Sequence, residues 1–261
     1  SGFPTLDYFL SSDLMEPPEA EALYTEQLVR LPGLSICYDE AREVHPRAAA
    51  RARFGLPSDS VVFWCGQSLY KFLPRHDDVF PRIALQAGDC RFLFIGFRHG
   101  RHVNDVFQAR LTAAFAAHGL RAEDYCVMLP FMGRSDFVAT YAASDIFLDS
   151  IGWSGCNTTL ESLSHDLPIV TMAGAFMRGR HGAGILRQLG VADLVCGNVE
   201  EYCALAVRLA CDRAWRETVG RRINAGKRLL YRDLAPVAAL GDFLEAAARR
   251  VTVRHGALAP S

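Results

Sequence analysis

Short apolar runs alternate with amphipathic stretches along most of this chain, and that alternation narrows the folds open to it. The runs are Val61–Gly66, Arg91–Gly96, Tyr125–Pro130, Ile146–Ser150, Pro168–Met172 and Leu194–Gly197. Between them, residues 74–87, 103–118, 134–143, 158–164 and 176–189 read as helices. The remainder, about 199–250, reads as helix with breaks near Asp212 and Pro236. Strands that are apolar on both faces need helices on both sides. The expected class is therefore α/β, a doubly wound parallel sheet of Rossmann-like type over about 58–232.

The first 38 residues lie outside this pattern. Leu6–Ser11 reads as a strand and Glu19–Arg30 as a helix, together a remnant of another domain. Residues 39–57 read as a linker, helical in part, and 233–261 as a C-terminal helix and tail that returns to pack on the remnant. No Met opens the chain and no signal-peptide pattern follows, so the sequence reads as a segment of a longer protein.

Bulk properties remove several classes. Half of the 261 residues are hydrophobic, enough for a substantial core. A net charge of −1 without charge blocks argues against nucleic acid, and no apolar run is long enough to span a membrane. Eight cysteines are scattered without a C-x-x-C pair, and no His spacing suggests a metal site. They read as small buried hydrophobes in a reducing cytoplasm.

In open α/β sheets, ligands bind beyond the carboxyl ends of the strands. Four loops on that rim carry the candidate chemistry. The loop after the fourth run, Gly152–Glu161, is the most informative. Gly155 allows close backbone approach, and Asn157, Thr158 and Thr159 stand where a helix begins. A helix start presents free N–H groups and partial positive charge, which suits a diphosphate. Glu161, about one turn on, suits ribose hydroxyls. The plainer alternative is that Asn157 or Thr158 only caps the helix.

After the first run come Gln67 and Lys71. A lysine at that rim would neutralise charge on a departing nucleotide diphosphate, or simply be a solvated surface side chain. Met132, Arg134 and Phe137 follow the third run, with Phe137 either stacking on a base or filling the core. Trp153 either closes over a ligand or packs. Arg178, Arg180 and His181 follow the fifth run, where the arginines contact phosphate or stabilise the loop and the histidine is either a contact or structural. No G-x-G-x-x-G follows the first run, which counts against NAD or FAD.

In order along the chain, five stretches resemble the C-terminal catalytic region of glycosyltransferase family 41, the protein O-GlcNAc transferases, in a bacterial form. They are Asp7–Pro17, Tyr24–Pro32, Gln67–Lys71, Asp145–Glu161 and Phe176–His181. The resemblance implies the C-terminal half of a GT-B glycosyltransferase, binding UDP-GlcNAc as donor with no further cofactor. It implies transfer of N-acetylglucosamine to Ser/Thr hydroxyls of a protein acceptor.

By the same resemblance Lys71 is catalytic and faces the diphosphate with Gln67. Thr158 and Thr159 bind phosphate, Glu161 holds the ribose, Met132 and Arg134 line the uracil site, and Phe137 stacks on the base. Animal members carry His at the positions of Asn157 and Phe137, and bacterial relatives often carry Gly at Cys156. An N-terminal catalytic half and a tetratricopeptide array are implied partners. Three alternatives stay open: a UDP-binding piece without catalysis, a UDP-glucose-dependent protein glucosyltransferase, and a UDP-GlcNAc 2-epimerase, for which no paired acid and base are evident.

Overall fold

The computed structural model describes residues 2–40, 43–98 and 100–256. Its centre is a six-stranded, all-parallel sheet. The strands are β3 (Val61–Cys65), β4 (Cys90–Ile95), β5 (Cys126–Leu129), β6 (Ile146–Leu148), β7 (Ile169–Met172) and β8 (Val195–Cys196). Their spatial order is β5-β4-β3-β6-β7-β8, the doubly wound order with its reversal between β3 and β6. All six expected strands form.

Both faces of the sheet are covered, which is why its central strands are apolar throughout. Val62, Phe63, Trp64 and Cys65 of β3 and Phe92, Leu93 and Phe94 of β4 are all fully buried. Helices α2 (Val79–Ala87), α3 (Arg101–Ala117), α4 (Arg134–Ala143), α5 (Asn157–Ser164), α6 (His181–Leu189) and α7 (Val199–Cys211) follow the strands in turn. On one face Phe72, Phe80 and Phe107 meet Phe94 at ring separations of 5.1–5.6 Å, mostly edge-on. Among the described residues, no helix is long and apolar enough to cross a membrane.

Three helix boundaries differ from the sequence reading, and the first is the helix expected over 74–87, divided into a 3-10 turn, Pro74–His76, and α2 from Val79. The helix expected over 176–189 is split into a short 3-10 turn, Met177–Gly179, and α6. Gly174 and Gly179 are in backbone contact there and hold the turn apart from the helix. The break expected at Pro236 lies earlier, between α8 (Arg213–Gly226) and α9 (Ala235–Gly256). Pro236 stands in the first turn of α9, where a missing N–H costs nothing. The break at Asp212 is where expected, and its carboxylate caps α8 by accepting from the Trp215 N–H.

The expected helix over Glu19–Arg30 is not formed. Residues Ala20–Leu23 make one 3-10 turn, and Gln27–Leu31 form β2, paired in parallel with β1 (Tyr8–Ser12). Pairing of Leu28 and Val29 with Phe9 and Leu10 overrides the weaker helical preference of the segment. Arg30 secures the turn, donating to the Pro17 and Pro18 carbonyls and pairing with Glu21.

The stretch over 39–57 contains α1 (Arg47–Arg53), which lies against α4. Arg51 is buried at 4% exposure. It donates to the carbonyls of Ala143, Pro57, Ser58 and Ser60 and to the Asp145 carboxylate. At the other end of the chain, α9 reaches the small sheet, with Phe243 edge-on to Tyr8 at 5.1 Å. Of the eight cysteines, Cys65, Cys90, Cys196 and Cys203 are buried as expected, whereas Cys37 and Cys211 are exposed; all are free.

Candidate functional site

The strand order reverses between β3 and β6, and the crevice at such a point is where doubly wound sheets hold ligands. Gln67 and Lys71 follow β3, and the loop leading into α5 follows β6. The two converge. Lys71 Nζ donates to Gln67 Oε1 at 2.9 Å, and Gln67 Nε2 donates to Thr158 Oγ1. A lysine, a buried glutamine and the hydroxyl of the second residue of α5 thus form one chain across the crevice. Trp153 flanks it, its ring centroid 5.8 Å from Lys71 Nζ and its ring edge-on to Tyr70.

Two glycines make this convergence possible. A Cβ at Gly155 would lie 2.3 Å from Gln67 Nε2 and 2.5 Å from Thr158 Oγ1. The close approach at Gly155 is therefore that of two side chains of the protein. A Cβ at Gly66 would strike the buried indole of Trp64 at 2.3–2.5 Å. Thr159 is fully buried and its hydroxyl donates to the Gly155 carbonyl, so that hydroxyl serves the loop and faces no ligand, against the expectation that it binds phosphate. Asn157 is exposed at the start of α5, and the half-buried Cys156 precedes it. Burial pushes the Cys156 thiol up, partly opposed by Lys71.

A cleft of about 340 Å3 opens beside this chain, walled by Gln67, Leu69, Ile95, Phe97, Met132 and Phe137. It joins the ends of β3, β4 and β5 and has the size and apolar character of a small-ligand pocket. Phe137 packs edge-on against Trp64 and Tyr141, as a core residue does, and also lines the cleft. Arg98 stands over the exposed Phe131 ring at the mouth.

Arg134 and Glu161 are brought together, but with each other. Arg134 Nη1 donates to Glu161 Oε1 at 2.5 Å, Tyr38 donates to the same oxygen at 3.2 Å, and Tyr141 donates to Oε2 at 2.7 Å. Three donors leave a carboxylate with about one open lone-pair direction. Burial and the neighbouring carboxylate push the Tyr38 phenol up to about 12. Arg180 is turned inward, donating to the Met15 and Gly174 carbonyls. His181 opens α6, held at the Ser154 backbone, and burial draws its pKa below the usual range. Arg178 lies over the exposed Phe176 ring.

Sequence reasoning passed over the loop after β4, although Phe97 and Arg98 lie on the same rim by the same rule. It also gave no role to Asp149, the first polar residue after the buried β6 strand. Burial pushes the Asp149 carboxyl up to about 6 from its ordinary 3.8, against hydrogen bonds from Ser154, Gly155 and Thr171 and the charge of Lys71. The folded chain therefore holds this proton more tightly than the unfolded chain. The stability this contributes is fully present below about pH 4 and is lost as pH rises to about 6. Denaturation profiles across that window are expected to fall more steeply for wild type than for Asp149→Asn; parallel profiles would remove Asp149 as the cause.

A doubly wound parallel sheet covered by helices on both faces, with a crevice at its switch point, is the Rossmann-like architecture of one half of a GT-B glycosyltransferase. The sequence profile of glycosyl transferase family 41 matches residues 37–229, and the chain belongs to that family. Among curated relatives, the protein named "Probable UDP-N-acetylglucosamine--peptide N-acetylglucosaminyltransferase SPINDLY" is 30% identical in Petunia hybrida. Over 212 residues it matches 81% of this chain and 22% of its own. The Arabidopsis thaliana protein of that name gives the same figures. This chain thus spans about a fifth of the length of the curated relatives it matches. Among solved structures, a mutant of the Thermobaculum terrenum O-GlcNAc transferase superposes with TM-score 0.76 and 29% identity, over 94% of this chain and 44% of that one. Sucrose-phosphate synthase from Thermosynechococcus elongatus, at 15% identity and TM-score 0.64 over 94% of this chain and 59% of that one, shares the fold.

Proposed function

We propose that this chain is the donor-binding part of an inverting, metal-independent protein O-glycosyltransferase that takes UDP-GlcNAc and glycosylates Ser/Thr hydroxyls. The observation that carries the reading is the convergence of Lys71, Gln67 and Thr158 at the start of α5. A pyrophosphate in that crevice meets a cation, two neutral donors and the positive end of a helix. As the acceptor hydroxyl attacks the anomeric carbon and UDP departs, charge builds on the diphosphate, and Lys71 is placed to offset it. The uracil occupies the cleft between Met132 and Phe137, with Arg134 and Glu161 at its edge toward the ribose. Trp153, Asn157 and His181 complete the donor side, while Arg180, turned onto the Met15 and Gly174 carbonyls, braces the loop before α6.

The names of the relatives support N-acetylglucosamine as the sugar and a protein as the acceptor. Their greater length supports further regions, an N-terminal catalytic half and a tetratricopeptide array, as partners. The same coverage favours a second reading for the chain taken alone, namely binding without transfer. Eight free cysteines support a reducing cytoplasm. Calorimetric titration of UDP, UDP-GlcNAc and UDP-glucose tests the donor assignment, and transfer from labelled UDP-GlcNAc to a Ser/Thr peptide tests catalysis. Micromolar binding of UDP and UDP-GlcNAc is expected. Failure of all three to bind would sink the reading, and tighter binding of UDP-glucose would move it to a glucosyltransferase.

A further inference from the structure

Asp149 lies directly beneath the crevice, 2% exposed, and four segments meet at its carboxylate. Oδ1 accepts from the Gly155 N–H at 2.7 Å. Oδ2 accepts from Ser154 Oγ and, at 2.7 Å, from Thr171 Oγ1 of β7. Ser154 Oγ in turn accepts from the Gly182 N–H in the first turn of α6, at 2.7 Å. A Cβ at Gly182 would stand 2.7 Å from Asp149 Oδ2, so α6 begins in contact with the carboxylate itself. The backbone of Asp149 is fixed as well, its N–H to Val170 and its carbonyl to the Tyr202 hydroxyl.

These bonds have a shared direction. One carboxylate ties the end of β6 to the loop before α5, to β7 and to the start of α6. Negative charge at the open starts of two helices is favourable to both. The Gly155 N–H is consumed by Asp149, and Gly155 is the residue that Gln67 and Thr158 crowd. Moving Gly155 moves both.

We propose that Asp149 is a positioning residue of the donor site: its carboxylate holds Ser154 and Gly155 so that the start of α5 and Gln67 meet the donor's diphosphate. The proposal rests on the donor-site reading above and assigns the diphosphate, not the base, to the part of the site that Asp149 controls. The base cleft is built from the ends of β3, β4 and β5 and from α4; Gln67 is the wall it shares with the diphosphate side, and among the described residues none of its walls hydrogen-bonds Asp149.

The test compares UDP with uridine as calorimetric ligands of the whole chain. Wild type is expected to bind UDP more tightly than uridine. Asp149→Asn is expected to weaken UDP by about tenfold while leaving uridine within about twofold. Thr171→Val removes one donor with little change of shape and is expected to weaken UDP alone by a smaller factor, with Thr171→Ser restoring it. A wild-type preference that survives unchanged in Asp149→Asn and Thr171→Val overturns this assignment and leaves the donor site standing. Equal losses for UDP and uridine also overturn it, because they mark a general loss of structure. No preference for UDP in wild type overturns both.

Discussion

Replacing Lys71 with alanine is expected to weaken UDP binding by roughly ten- to a hundredfold, the range for losing a hydrogen bond to a charged group of about 1.5–3 kcal/mol. The half-buried Lys71 lies on the Gln67 amide oxygen beside Trp153, facing the start of α5. No second cation is recorded in contact with Gln67 or Thr158 among the described residues. Gln67, freed of Lys71, keeps its bond to Thr158, so the crevice stays in place and the loss reports the charge. The effect on transfer by the intact enzyme is expected to be larger, about a hundred- to a thousandfold in kcat, because charge on the leaving diphosphate grows toward the transition state. Lys71→Arg is expected to recover part of the binding, since the guanidinium keeps the charge but not the shape. Equal UDP affinity and equal turnover in wild type and Lys71→Ala would take Lys71 out of the mechanism.

The largest expected loss of stability lies at the opposite end of the sheet. Asp145, just before β6, accepts from Arg47 and Arg51 at 2.6 Å each and from the Val62 N–H at 2.8 Å, with Arg216 at 3.8 Å. Its side chain is 10% exposed and that of Arg51 is 5% exposed. Asp145→Ala leaves the buried guanidinium with carbonyl acceptors but no counter-charge, and leaves Val62 without its side-chain acceptor. Breaking a buried pair in this way costs about 3–5 kcal/mol. For a domain of this size that is a fall of roughly 6–20 °C in melting temperature. UDP affinity of the molecules that remain folded is expected to be unchanged, since Asp145 is a sheet's length from the crevice. A loss under about 1 kcal/mol would show that the four carbonyls alone satisfy Arg51.

The sheet was legible because burial on both faces leaves runs such as Val61–Cys65 with hardly a polar residue, and each run ends in a loop rich in Gly, Ser or Thr. Of the small sheet only β1 was, as the strand expected over Leu6–Ser11 that forms at Tyr8–Ser12. In β2, Leu28 and Val29 are half-buried between Gln27 and Arg30, and nothing local separates such a strand from an amphipathic helix. What selects the strand is β1, some twenty residues away. In the site, the helix start at Asn157–Thr159 and the pairing of its loop with Gln67 and Lys71 followed from the rule about strand ends. The Arg134–Glu161 pair did not follow, because it depends on how α4 and α5 lie side by side. Nor did the inward turn of Arg180, which is set by the carbonyls of Met15 and Gly174.

The chain passes between the large sheet and the small one twice, at Tyr38 and at Tyr231, and these residues form a β-bridge with each other. Arg232 adds a bond to the Tyr38 carbonyl and a pair with Asp39. Those two adjoining strands are not the whole joint. Met15 and Leu34 are buried in the core of the large domain, Gly184 of α6 lies on Leu14 and Met15, and Arg180 donates to the Met15 carbonyl. The small sheet is thus keyed into the large one beside His181, so an added side chain at Gly184 would push the two sheets apart at the rim of the crevice.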